Sequence, residues 1–65
     1  MMVVVNESAV EVDGQTTVAG LLESLGFPEC GIAVAMDDAV LPRSSWTTKL
    51  FDGARLEIVT AVQGG

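Results

Sequence analysis

The chain has 65 residues, 49% of them hydrophobic, with three Lys+Arg against nine Asp+Glu and a formal net charge of −6. At roughly 1.5 kcal/mol of ordering cost per residue, a chain of this size folds only by burying nearly all its aliphatic side chains, and it has room for one domain. The acidity makes nucleic acid and anionic membrane surfaces poor partners, and the single Cys30 with no histidine excludes an intramolecular disulfide, a zinc or iron–sulfur site, and Ser-His or Cys-His catalysis.

The first basic residue is Arg43, so the N-terminus lacks the positive region of a signal or transit peptide, and no apolar run approaches a membrane span. The expected location is the cytoplasm. Met2 to Val5 is a β-branched run that predicts a strand, and Ala9 to Val12 predicts a second after the polar turn Asn6-Glu7-Ser8. Asp13-Gly14 breaks the pattern, and Thr16 or Thr17 is placed to cap a helix. Val18, Leu21, Leu22 and Leu25 fall at i, i+3, i+4 and i+7, so one helical face is expected to carry all four into the core. Gly26 followed by Phe27-Pro28 stops it. Gly20 inside that helix either permits close approach to a sheet or is merely tolerated.

Ile32 to Met36 alternates in a way that turns Ile32, Val34 and Met36 inward. Asp37-Asp38 then turns into a short strand, Ala39 to Leu41, which Pro42 ends. Ser44 to Leu50 is too short and polar for a full helix and predicts one 3₁₀ turn or irregular chain, with Trp46 covering an end of the core. Asp52-Gly53 is another turn, and Arg55 to Thr60 is the last strand, with Leu56 and Ile58 on one face and Arg55, Glu57 and Val59 on the other. The expected fold class is α+β, one helix packed across one sheet. Residues 1–60 are expected to form the domain, and residues 61–65 a flexible C-terminal Gly-Gly tail.

Ala61-Val62-Gln63-Gly64-Gly65 follows the last strand. Glycine costs backbone entropy and buries no side chain, so a terminal Gly-Gly has little structural use. Extended, five residues reach at most roughly 17 Å, enough to carry a carboxylate into another protein's cleft. Gly64 and Gly65, without Cβ atoms, pass through a channel too narrow for other residues. An activating enzyme could convert the unhindered Gly65 carboxylate to an acyl adenylate open to a sulfur or nitrogen nucleophile. Taken alone, the dipeptide fits a frayed end equally well.

The stretch from Ala33 to Trp46, with Pro42, Arg43 and Trp46 forming a Pro-Arg-x-x-Trp element, then Asp52-Gly53 and Ala61 to Gly65, resembles the ThiS family, sulfur carriers of thiamine biosynthesis. Val3-Val4-Val5-Asn6 and Thr17-Val18 leading to Leu21-Leu22 fit as well, so the resemblance covers nearly the whole chain. The chain departs from the family at Asp37, where Asn is frequent, and at Ala54, where an acidic residue often follows the turn glycine. Neither touches the terminal glycines.

The resemblance implies a ubiquitin-like β-grasp fold, one helix across a mixed four- to five-stranded sheet. It also implies a protein co-substrate, not an enzyme, that binds no cofactor itself. An E1-like, ThiF-type activating enzyme spends ATP to adenylate Gly65, a cysteine desulfurase or other donor supplies sulfur to give a thiocarboxylate, and a ThiG-type thiazole synthase takes that sulfur. Two other recipients stay open: a molybdopterin synthase, whose small subunit ends in the same glycines but is usually longer and lacks Pro-Arg-x-x-Trp, and lysine side chains, if the chain is a ubiquitin-like modifier. A pure interaction domain is the remaining class.

Val4 and Val59 are expected on the open face of the sheet, where they form a docking patch for the activating enzyme with Glu57 at its rim, and Gln63 is counted with them on the tail. Cys30 reads as a small hydrophobe with no basic neighbour to lower its pKa. Trp46 reads as a core lid, and Arg43 as a local structural residue that pairs with Asp37 or Asp38 or bonds carbonyls around the Trp46 turn.

Overall fold

The computed structural model describes residues 1–28 and 30–60. Strands β1 (Met2–Val5) and β2 (Ser8–Glu11) precede helix α1 (Val18–Ser24); β3 (Ile32–Met36) and β4 (Ala39–Leu41) follow it, then a 3₁₀ turn at Arg43–Ser45 and β5 (Arg55–Thr60). The sheet order is β2-β1-β5-β3-β4. β1 and β5 run parallel and the other pairs antiparallel, so the sheet is mixed and five-stranded, with the last strand at its centre. This is the β-grasp arrangement expected. The proposed tail, residues 61–65, lies outside the described residues.

Both hairpins turn through two residues with positive φ: Asn6 (48°) and Glu7 (72°) in the first, Asp37 (50°) and Asp38 (71°) in the second. That is the type I′ geometry whose twist matches the flanking strands, and Asn and Asp tolerate the left-handed region best after glycine. The three-residue turn expected at Asn6-Glu7-Ser8 is therefore a two-residue one. Ser8 pairs with Val5, and β2 starts one residue early.

Thr17 caps α1, its hydroxyl accepting the Gly20 N–H at 3.1 Å. Two more of the unpaired first-turn donors are met from outside the helix: Val18 N–H donates to the Thr48 carbonyl and Ala19 N–H to the Trp46 carbonyl. Gly20 is exposed, and an added Cβ would lie 3.3 Å from the Thr17 hydroxyl, not against the sheet. The close-approach reading is thereby set aside; the crowding is with the cap.

The core joins Val3 and Val5, Val18, Leu21 and Leu22, Val34, Trp46, Leu50, Ala54, Leu56 and Ile58. The inward alternation of β3 and β5 is as expected, and Trp46 is buried at the core's edge. Ala54 is fully buried, so the small apolar residue suits its place. Leu25 is the exception to the helical stripe. It is in phase with Leu21 and Leu22 but falls at the C-cap, where the chain leaves the helix into the left-handed Gly26 (φ 83°), and it is 42% exposed.

Replacing Leu21, which is fully buried, with Ala is expected to cost about 3 kcal/mol of unfolding free energy, whereas Leu25→Ala is expected to cost less than about 0.5 kcal/mol. Urea unfolding followed by far-UV circular dichroism checks both; equal losses would place Leu25 in the core.

Candidate functional site

The chemistry suggested by the sequence lies beyond β5, and the described part of the site is the end of that strand. Thr60, its last residue, pairs with Ile32 at the start of β3. On the other side β1 stops earlier: its last paired residue, Val5, stands opposite Leu56. Asn6 continues the ladder in two ways. Its main-chain N–H donates to the Leu56 carbonyl at 3.0 Å. Its side-chain amide then takes both main-chain groups of Ile58, Oδ1 accepting the N–H at 2.8 Å and Nδ2 donating to the carbonyl at 3.2 Å.

The face of the sheet away from α1 carries the expected docking residues. Val59 is 64% exposed beside Ala33, Glu57 is exposed beside Ala35, and Val4 is half-buried between Ala9 and Arg55. Val4 sits opposite Arg55, so Val59 lies four residues, or about 13 Å, further along β5, with Glu57 between them. The structure therefore does not bring the two valines together into one patch. The neighbours of Val59 are on β3 instead: Ala33 directly opposite and Ala35, which pairs with Val40 of β4, 79% exposed. Alternation along β3 pointed Ala33 and Ala35 outward, but only the strand order shows Val40 joining them. Gln63, Gly64 and Gly65 lie outside the described residues.

Ala19, Leu22, Gly26, Phe27, Arg43 and Trp46 line most of a groove of about 330 Å³ beside the end of α1. The Pro-Arg-x-x-Trp element builds its wall. Pro42 leads into the 3₁₀ turn, the Arg43 guanidinium lies 5.7 Å from the Trp46 ring centroid, and Trp46 Nε1–H donates to the Leu41 carbonyl at 3.2 Å. Among the described residues the contact Arg43 makes is thus with the indole face, a cation–π pair, in place of the expected Asp37 or Asp38 or the carbonyls around the Trp46 turn. Asp37 is engaged elsewhere, its Oδ1 accepting the Arg55 N–H at 3.2 Å. Cys30 is exposed in the loop before β3, where the expected small hydrophobe would be covered; Gly31 (φ 79°) turns the chain there before the strand begins.

No helix among the described residues is long and apolar enough to cross a membrane. The family model that matches is that of the ThiS family, over residues 3–65. The sulfur carrier protein ThiS of Escherichia coli K12 is 29% identical over 66 residues, with all of each chain covered. A crystal structure of the thiamine biosynthesis protein ThiS from Geobacter metallireducens superposes with a TM-score of 0.81 at 29% identity, again over the whole of both chains. A solution structure of a thiamine biosynthesis protein from the same organism gives 0.76 at 29% identity, over all of this chain and 88% of the other.

Trp46→Phe keeps a ring in the core but removes the donor to the Leu41 carbonyl and weakens the contact with Arg43. The expected loss is about 1–2 kcal/mol in the urea unfolding free energy at unchanged slope. No loss would mean the indole acts through bulk alone.

Proposed function

This chain belongs to the ThiS family, and from that premise we propose that it is a sulfur carrier of thiamine biosynthesis. Its Gly65 carboxylate is adenylated, converted to a thiocarboxylate and used by a thiazole synthase. The observation that carries this reading is the extent of the family match, which runs through Gly64 and Gly65, the residues that follow the central strand.

The carboxylate is itself the nucleophile. One of its oxygens attacks the α-phosphorus of ATP held by the activating enzyme; the bond to pyrophosphate breaks and an acyl adenylate forms. Sulfide itself, or the persulfide of a cysteine desulfurase, then attacks the carbonyl carbon. AMP leaves; with the persulfide a thiol reductant afterwards cleaves the S–S bond of the acyl disulfide, releasing the donor's thiol. The thiocarboxylate remains. Gly64 and Gly65 put no side chain in the way of either attack.

The chain's own contribution is binding and presentation, so it acts as a co-substrate with ATP consumed by its partner in the cytoplasm. Val59 with Ala33 and Val40 is the apolar part of the docking surface, Glu57 at its side steers the acidic carrier to a basic partner, and Gln63 extends the contact, while Val4 stands apart from it.

Incubation with ATP, a sulfur source and the cognate activating enzyme, followed by fragment-ion mass spectrometry, is expected to localise an oxygen-to-sulfur exchange to Gly65. Fragment ions are needed because oxidation of one of the three Met residues adds nearly the same mass. An unchanged carboxylate accompanied by lysine conjugates would replace this reading with that of a modifier. Val59→Glu is expected to raise the KM for the carrier in adenylation about tenfold; an unaltered KM would remove this face from the docking surface.

A further inference from the structure

In a parallel ladder the bonds step evenly along the strands, and the donations of Val4 N–H to the Ala54 carbonyl and of Asn6 N–H to the Leu56 carbonyl follow that step. The next member would be the Asn6 carbonyl accepting the Ile58 N–H. Asn6 instead sits at φ 48° as the first residue of the type I′ turn, where its main chain departs toward β2. Its side-chain Oδ1 receives the Ile58 N–H in place of its carbonyl, and Nδ2 adds a bond to the Ile58 carbonyl. One exposed amide thus stands in for a β1 strand residue beside Ile58, which lies 52 positions from Asn6 and seven before Gly65.

Main-chain groups alternate sides along a strand, so those of Thr60 face the same side of β5 as those of Ile58. The Asn6 amide is the last group that β1 or its turn places there. At Thr60, the last described residue, β5 has one strand neighbour, β3, through Ile32. Among the described residues, Ile58 is accordingly the last of the strand held from both sides.

We infer that Asn6 is a positioning residue for the carrier reaction: by gripping the Ile58 main chain it holds the end of β5, to which the C-terminal residues are joined, in place. The inference rests on the carrier reading above, because the placement of that strand end matters only if the terminus is delivered to a partner.

The structure supplies its own control. Asp37 is the first residue of the other type I′ turn, at φ 50°, and grips the opposite end of the same strand: its N–H donates to the Arg55 carbonyl and its Oδ1 accepts the Arg55 N–H. Asn6→Gly and Asp37→Gly both preserve a turn that glycine favours, and both delete a side-chain grip on β5. They differ in which end of β5 is released.

The test is the exchange of pyrophosphate into ATP by the cognate activating enzyme, with wild type, N6G and D37G each measured well below its thermal transition. For N6G the KM for the carrier is expected to rise about fivefold or more with kcat within about twofold, since a threaded terminus reacts normally; D37G is expected to leave both constants unchanged. A wild-type KM for N6G overturns the inference, and so does an equal rise in both variants, which would mark general loosening of the strand. If N6G shows no cooperative unfolding transition, N6D is read in its place: the carboxylate accepts from the Ile58 N–H but faces the Ile58 carbonyl without a donor, so a raised KM supports the inference and an unchanged one overturns it. If wild type itself supports no exchange, the carrier reading fails first and takes this inference with it.

Discussion

Every main-chain group of a central strand must find a partner, and in this chain the central strand is longer than either neighbour. β5 has six residues against four in β1 and five in β3, so both neighbours turn away while β5 still has groups to satisfy. At both departures the first residue of the turn supplies a side-chain oxygen where its own carbonyl has rotated away, Asn6 to Ile58 and Asp37 to Arg55. A left-handed φ at a non-glycine residue costs of order 1 kcal/mol, and these bonds offset that cost at two such positions. The same residues therefore make tight turns and complete the sheet's centre.

That centre needs only a short helix to cover it. α1 spans seven residues, too few to be stable alone, and its order comes from Val18, Leu21 and Leu22 against the sheet and from the segment that follows β4. The Trp46 and Thr48 carbonyls accept from the first turn of α1, while the indole closes the edge of the core and its Nε1–H holds the Leu41 carbonyl. The Pro-Arg-x-x-Trp element is thus a clamp between helix and sheet, which is why a polar stretch with little helical propensity is nonetheless ordered.

Local pattern made the elements legible. The i, i+3, i+4 spacing located Val18, Leu21 and Leu22, and strict alternation located Leu56 and Ile58. It failed at Leu25, because phase says which face a residue takes and not where the helix ends. It also failed for the docking patch. Val4 and Val59 do take the same face, but whether they are neighbours depends on strand order and register, which put Val4 opposite Arg55. Val40 was missed for the same reason, and the Asn6 grip because a side chain bonding 52 residues away leaves no local trace. The Gly64-Gly65 motif was read from the chain's end and from its family resemblance, both independent of geometry.

On the proposed reading the chain presents its terminus to partners, so its fold acts through where that terminus can be. Five residues beyond Thr60 reach at most roughly 17 Å, so the position of the strand end bounds where the terminus can go. An edge strand, bonded on one side, would make a compliant origin. The middle of a five-stranded sheet, with β3 on one flank and β1 and the Asn6 amide on the other, makes a stiff one. The parallel pairing of the first and last strands is what puts the chain's end there, and it requires the whole intervening chain, helix included, as the crossover between them. On this view the domain's architecture is the means of holding the strand end to which the two terminal glycines are joined.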